Sequence, residues 1–153
     1  LNDEGIRCKL TWLGGGVYLK SILSLSKELG IGHLVDFKGD VSRYEVKSFL
    51  YKSDLFVLAS KTEGLPRVII EAMAAGLPCI GTRVGGIPEL LGDEVLIPKD
   101  DIDKLVLKIK TLLVNEDFYN SQSSRNLKES ENYSETILDQ RRSQFYKFIA
   151  DNL

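Results

Sequence analysis

An α/β fold, with a parallel sheet of about five strands and helices on both faces, is what this 153-residue chain predicts. Three observations carry that expectation. Short apolar runs alternate with longer segments of helical period, as βαβ units require. Most of the short runs are apolar at successive positions, which suits strands covered by helices on either side. Glycine and proline fall where the helical segments should stop or start.

The expected strands are 8–13, 34–38, 55–59, 79–82 and 95–97. The segment 17–29 places Leu19, Ile22, Leu23, Leu25, Ser26 and Leu29 at helical spacing, and Gly30 supplies its stop. Ser42 and Glu45 form a capping-box pair ahead of a helix through Leu50. Pro66 takes a first-turn place in a helix through Ala75, which Gly76 ends and Pro78 keeps from resuming. Pro88 opens a shorter helix that Gly92 ends. Asp100, Asp101 and Asp103 put negative charge at the start of a helix carrying Leu105, Ile109, Leu112 and Leu113. A helix over 116–128 follows, and Ser134 caps a last amphipathic one with Ile137, Leu138, Phe145, Phe148 and Ile149. The opening residues read as the tail of a helix, a Gly turn and then a strand, so a piece of a longer protein is expected.

A chain of this length fits one domain, 1–153, with a single core. Its 20 basic and 22 acidic residues are interspersed, which leaves no electrostatic footprint for nucleic acid or an anionic membrane. Cys8 and Cys79 each sit in an apolar run without a C-x-x-C partner and are expected to be buried free thiols in a reducing compartment. No stretch reaches the roughly 20 apolar residues of a membrane span and no signal-peptide pattern opens the chain, so a cytoplasmic location is expected. Met73 and Trp12 read as core, and His33, the single histidine, as a surface turn residue. Without a Ser/His/Asp or Cys/His set, or clustered ligands, nothing points to covalent hydrolase chemistry or a metal.

In an open parallel α/β sheet, ligands bind beyond the carboxyl ends of the strands. Four loops qualify: Gly14 to Gly16, Lys38 to Val41, Ser60 to Pro66, and Arg83 to Pro88. The third leads into a helix whose first backbone N–H groups, near Leu65, Arg67 and Val68, would suit phosphates. Glu63 lies in that loop, and Glu71, eight positions on, lies about one turn past Arg67 on a face shared with Val68 and Ala75. A carboxylate can accept two hydrogen bonds side by side from a vicinal diol such as that of ribose. Taken alone, the pair also reads as a surface-loop acid and a solvent-facing helical acid. The neighbours in I-I-E-A-M-A-A are so uniformly apolar or small that the helix is expected to be covered and its acid to need a partner. Gly14-Gly15-Gly16 is either a tight turn with close backbone approach or a phosphate cradle, without dinucleotide-fingerprint spacing. Gly85-Gly86 permits close approach of a ligand or positive φ.

The stretch Glu63-Gly64-Leu65-Pro66 through Glu71-Ala72-Met73-Ala74-Ala75-Gly76-Leu77-Pro78, continuing to Thr82, Gly85-Gly86 and Glu89, resembles the donor-binding half of retaining GT-B glycosyltransferases, notably glycosyltransferase family 4. The segments L-T-W-L-G-G-G, V-D-F-K-G-D-V and S-D-L-F-V-L-A-S are similar to successive strand-and-loop units of the same domain. The resemblance implies a Rossmann-like domain, the C-terminal half of a GT-B fold, that binds a UDP- or GDP-linked sugar. It implies ribose contacts for Glu71 and a donor-sugar contact for Glu63, the catalytic candidate. Amides of Gly64, Leu65, Arg67 and Val68 would meet sugar and phosphate, Pro66 among them contributing no donor, and Lys38 and Val41 of the K-G-D-V turn would line the nucleobase. Gly15 and Gly16 complete the donor-binding candidates. The implied activity is hexosyl transfer to a saccharide or lipid-linked acceptor in polysaccharide biosynthesis, by front-face displacement, with no cofactor or metal.

Departures narrow this expectation. The family's basic G-R…K-G pair, which neutralises the diphosphate, and the acceptor-binding N-terminal domain should precede residue 1. The isolated 153 residues are therefore expected to be inactive. The helix in 131–153 is expected to pack back toward that N-terminal domain, through which any peripheral membrane contact would arise. The first strand of the common 3-2-1-4-5-6 order would also lie upstream, so the sheet must close up, leave a gap or borrow a strand. The competing expectations are a GT-B nucleotide-sugar 2-epimerase, which the E-x7-E run with its G-L-P disfavours, and a non-catalytic nucleotide-binding scaffold.

Overall fold

A computed structural model describes residues 1 and 5–152 of the chain. They divide into two compact units, Leu1–Phe49 and Leu50–Leu153, where size alone had led to the expectation of one core. The five expected strands are present, all pairings are parallel, and they form a two-stranded and a three-stranded ladder in place of one continuous sheet.

The first unit holds β1 (Leu10–Leu13), α1 (Leu19–Glu28), β2 (Val35–Gly39) and most of α2 (Arg43–Leu50). The pair β1–β2 runs from Leu10 opposite Val35 to Leu13 opposite Gly39, with an irregularity between Trp12 and Leu13. A single-residue turn closes α1, the Gly30 and Ile31 amides donating to the Lys27 and Ser26 carbonyls. The capping box before α2 is reciprocal: the Ser42 amide donates to Glu45 Oε2 at 2.8 Å, and the Glu45 amide donates to Ser42 Oγ at 3.4 Å. These bonds hold the Glu45 carboxyl below its ordinary pKa.

Most strands were expected to be covered on both faces, and this unit departs from that. Leu10 and Thr11 are exposed, and Trp12, packed against Phe37 at a ring separation of 6.4 Å, is only half-buried, as is Cys8. A unit of under 50 residues has too little chain to cover both faces of a ladder. The helix tail expected at the start of the chain falls on residues 2–4, outside the described residues. His33 is exposed in a 3₁₀ turn, as expected.

The second unit contains β3 (Phe56–Leu58), α3 (Arg67–Ala74), β4 (Cys79–Thr82), α4 (Ile87–Leu90), β5 (Leu96–Ile97), α5 (Ile102–Val114), α6 (Glu116–Ser130) and α7 (Glu135–Asp151). The central β4 pairs with β3 and β5, and all four of its residues are buried. Ile69, Ala72 and Met73 of α3, Ile87 and Leu90 of α4, and Leu112 of α5 complete this core. Burial pushes the Cys79 thiol up to about 12, so it is an inert core group.

Helix α6 docks with polar side chains. Tyr119, Gln122, Ser123 and Asn126 recur at three- and four-residue spacing and so share a face. Ser123 Oγ donates to the Gly76 carbonyl at 2.6 Å, and Asn126 Nδ2 to the Leu77 carbonyl at 2.8 Å. Arg125 Nη1 bonds the Leu90 carbonyl and Asn126 Oδ1, Gln122 Nε2 bonds Glu94 Oε1, and the Tyr119 hydroxyl bonds the Asp54 carbonyl. The helix thus supplies strong donors to carbonyls of the α3–β4 turn, of which that of Leu77 otherwise has only the weak Cys79 thiol at 3.4 Å. Of the last helix, Leu138, Phe145, Tyr146, Phe148 and Ile149 are exposed. Among the described residues, no helix is long and apolar enough to cross a membrane.

Asn126→Ala should lower the stability of this unit by about 1–3 kcal/mol, because it leaves the buried Leu77 carbonyl with only the weak Cys79 thiol as donor. Urea unfolding followed by circular dichroism checks this. A pH dependence follows at Glu94, whose carboxyl its own backbone amide and then Gln122 hold below its ordinary value. A lowered folded-state pKa adds stability above the ordinary carboxylate value and loses it as pH falls through the folded one. Glu94→Gln should flatten that part of the acid-unfolding profile.

Candidate functional site

The loops that carry the expected site lie at the carboxyl ends of the strands in both units. In the second unit, β3 delivers the chain to Ser60–Pro66, and α3 begins at Arg67. Pro66 is buried and stands as the N-cap, with extended backbone, one position before the first helical residue where a first-turn place was expected. No side chain caps this end. The Ile69 amide turns back to the Pro66 carbonyl at 3.2 Å, and the preceding helical amides, those of Arg67 and Val68, belong to the orphan donors of a first turn.

Glu63 and Glu71 are both half-buried. On α3 the fully buried face is Ile69, Ala72 and Met73, while Val68, Glu71 and Ala75 share a half-buried one. Glu71 therefore stands on the margin of the core, about 6 Å along the helix axis from Arg67 at 1.5 Å per residue. Arg67 and Ala74 are the exposed residues of α3, so the expected cover extends over most of this helix.

Three contacts fix the loop that carries Glu63. Ser60 Oγ donates to Glu63 Oε1 at 2.6 Å. Thr82 Oγ1, at the end of the buried β4, donates to the Ser60 carbonyl at 2.6 Å. The Gly86 amide, just ahead of α4, donates to the Gly64 carbonyl at 2.7 Å. An ion pair between Lys61 and Asp100 at 3.5 Å joins solvent-exposed groups and adds little.

The glycine pair makes the backbone approach possible. Gly85 has φ of +52°, and a Cβ there would overlap the Glu63 carbonyl oxygen. A Cβ on Gly86 would stand 2.8 Å from the Gly64 carbonyl oxygen. The close approach expected of Gly85-Gly86 is thus made to the Glu63 loop itself.

In the first unit, the loops after β1 and β2 meet. The Gly14 amide donates to the Gly39 carbonyl at 2.7 Å, and the Gly15 amide to Asp40 Oδ1 at 2.9 Å. Of the two readings left open for Gly14-Gly15-Gly16, these bonds describe the tight turn with close backbone approach. Lys38 pairs with Asp36 at 2.7 Å and lies over the Phe49 ring at 5.7 Å from its centre, and Val41 is half-buried. Gly15, Gly16, Lys38 and Val41 are thus neighbours in one unit, and Glu63 to Val68 and Glu71 in the other.

With this geometry in place, the comparison with known proteins is decisive for the family. Residues 1–130 match the family described as glycosyl transferases group 1. The chain belongs to that family. It is 37% identical to N-acetyl-alpha-D-glucosaminyl L-malate synthase of Bacillus anthracis, over 96% of this chain and 39% of that protein. It is 30% identical to the putative colanic acid biosynthesis glycosyltransferase WcaL of Escherichia coli, over 71% of this chain and 29% of that protein. Its fold is that of the GT-B glycosyltransferases: HepE of Anabaena, solved in complex with UDP-glucose, superposes with a TM-score of 0.83 at 21% identity over 91% of this chain and 40% of HepE. This group 1 domain therefore spans about two-fifths or less of the length of these relatives.

Asp40, Ser60 and Thr82 were not singled out as site residues by sequence. A signal existed for two of them. Thr82 ends the otherwise apolar or small run C-I-G-T, and Ser60 lies three positions before Glu63, a spacing at which a hydroxyl and a carboxylate reach each other in a turn. Asp40 sits in a turn that was recognised, but its bond to Gly15 joins residues 25 apart and has no local signature.

Gly85→Ala should displace the Glu63 loop and destabilise the second unit by about 1–3 kcal/mol, through an unfavourable φ and the clash. Hydrogen exchange at the Gly86 amide should accelerate at least tenfold in the variant.

Proposed function

We propose that this domain holds the nucleotide-sugar donor of a retaining hexosyltransferase, with Glu71 binding the ribose diol and Glu63 the transferred sugar. The observation that carries the reading is the uncapped N-terminus of α3 beside the pinned Glu63 loop. Orphan amides of a helix start favour anionic oxygen, so the diphosphate sits there. Gly64, Leu65, Pro66, Arg67 and Val68 surround that position. Glu71, one turn along, accepts side by side from the two ribose hydroxyls, and Glu63, on the strand side, accepts from a hexose hydroxyl.

In the transfer, the bond between the anomeric carbon and the diphosphate oxygen breaks. A bond to the acceptor hydroxyl forms on the same face, and the acceptor proton passes to the leaving diphosphate. Glu63 needs no covalent role; it orients the sugar while charge develops at the anomeric carbon. The reaction uses no cofactor and no metal. The acceptor, a saccharide or lipid-linked saccharide, is held by parts of the full-length protein beyond this domain, which works on the cytoplasmic side. The relative from Bacillus anthracis, whose name denotes an alpha-linked glucosaminyl product, fits retention from an alpha-linked donor, and the UDP-glucose complex of HepE supports a UDP-linked donor. Gly15, Gly16, Lys38 and Val41 belong to the other unit, and the proposal for Glu63 and Glu71 rests on the second unit alone.

Calorimetric titration of the full-length protein with UDP-, GDP- and ADP-sugars tests this. One of them should bind, and Glu71→Ala should weaken it at least about tenfold, the scale of a charged hydrogen-bond pair lost. Glu63→Ala should leave nucleotide affinity nearly unchanged and abolish transfer, the product of the native protein keeping the donor's anomeric configuration by NMR. Transfer undiminished by EDTA is expected. If no nucleotide sugar binds, the scaffold alternative takes its place.

A further inference from the structure

We propose that Ser60 is a positioning residue for Glu63, aligning its carboxylate for the donor sugar through a chain of bonds that starts in the sheet. The proposal deepens the donor-site reading and rests on it. Its basis is two hydrogen bonds that meet at one residue. Ser60 Oγ donates to Glu63 Oε1 at 2.6 Å. The carbonyl of the same Ser60 accepts from Thr82 Oγ1 at 2.6 Å. Thr82 is 1% exposed and closes β4, the strand buried along its whole length.

A loop glutamate ordinarily samples several rotamers, and freezing it at each turnover has an entropic cost. Here one carboxylate oxygen is already engaged from below by Ser60. The lone pairs that remain, chiefly on Oε2, are left for hydroxyls of a ligand. The direction of that carboxylate is set by Ser60, and Ser60 by Thr82. The Gly86 amide holds the next carbonyl along, that of Gly64, so the segment on the far side of Glu63 is fixed as well. A carboxylate whose task is to meet one hydroxyl gains most from such support, because small misplacements near a reacting centre cost large factors in rate.

Steady-state kinetics of the full-length protein provide the test. Ser60→Ala should lower kcat about tenfold, with donor KM changed by less than about twofold, because alignment counts most in the transition state. Ser60→Thr, which restores the hydroxyl, should recover most of that loss. Thr82→Val, which keeps the shape and removes the donor to the Ser60 carbonyl, should move kcat in the same direction by a smaller factor. The discriminating arm uses Glu63→Gln as background: Ser60→Ala added to it should have no further effect if Ser60 acts through the carboxylate. Melting temperatures of all variants serve as the control for folding.

Wild-type kcat in Ser60→Ala, or a full additive loss in the Glu63→Gln background, overturns the Ser60 proposal and leaves the donor-site reading standing. Full activity in Glu63→Ala, or no hexose transfer from any nucleotide sugar by the wild type, overturns the donor-site reading, and the Ser60 proposal falls with it.

Discussion

The second unit depends on a backbone approach that admits no side chain: the segment Gly85-Gly86 lies against the carbonyls of Glu63 and Gly64, and the Gly86 amide donates to Gly64. The placement of the Glu63 loop against the loop after β4 follows from that proximity. It joins the loop after β3 to the loop after β4, so that two crossover connections move as one. A bond between backbones also has little rotameric freedom, unlike one between long side chains. The loop bearing Glu63 therefore inherits the rigidity of β4 and α4, although it is itself mostly exposed.

The same unit uses polar groups where an apolar interface is the usual expectation. Asn126 is completely buried and Gln122 nearly so, yet both lie in the uniformly polar run N-S-Q-S-S-R-N of residues 120–126. Their partners are a main-chain carbonyl and a carboxylate rather than side chains of the core. This is the economical answer to a geometric problem. The α3–β4 connection reverses the chain at Gly76 and Leu77, leaving two carbonyls of which that of Leu77 receives only the weak Cys79 thiol from β4. Donors from α6 satisfy them and in doing so fix the distance between α3 and α6, so the polar face works as a clamp on the helix that carries Glu71.

Much of this was legible in the sequence. The punctuation by Gly30, Gly76, Pro78 and Gly92 located the helix ends, the Ser42–Glu45 box is formed as expected, and every strand falls within two residues of its expected place. Glu63 and Glu71 stand at the loop and helix positions that their spacing implied. What was not legible has a common physical cause. Period and propensity report which face a residue prefers, not how much chain is available to cover it, so the half-exposed state of Trp12 and Cys8 was missed. Nor do they report hydrogen bonds across long sequence separations. Thr82 to Ser60, Asn126 to Leu77 and Gly15 to Asp40 span 22, 49 and 25 positions. Polarity in a segment such as 120–126 looks like solvent exposure until the carbonyls it serves are in place.

These observations separate the two carboxylates by the way each is held. Glu71 projects from a helix whose own hydrogen bonds and buried face fix its Cα, so its position shifts only if α3 shifts as a whole. Glu63 has no regular element beneath it; its place is set by a hydroxyl three residues back, by the strand-end threonine behind that hydroxyl, and by an amide from the neighbouring loop. A ligand group that is only bound tolerates the small freedom of a helix margin. A group whose orientation must be right at the moment of bond exchange needs several independent constraints. The constraints that converge on Glu63 suit the rate-sensitive role proposed for it.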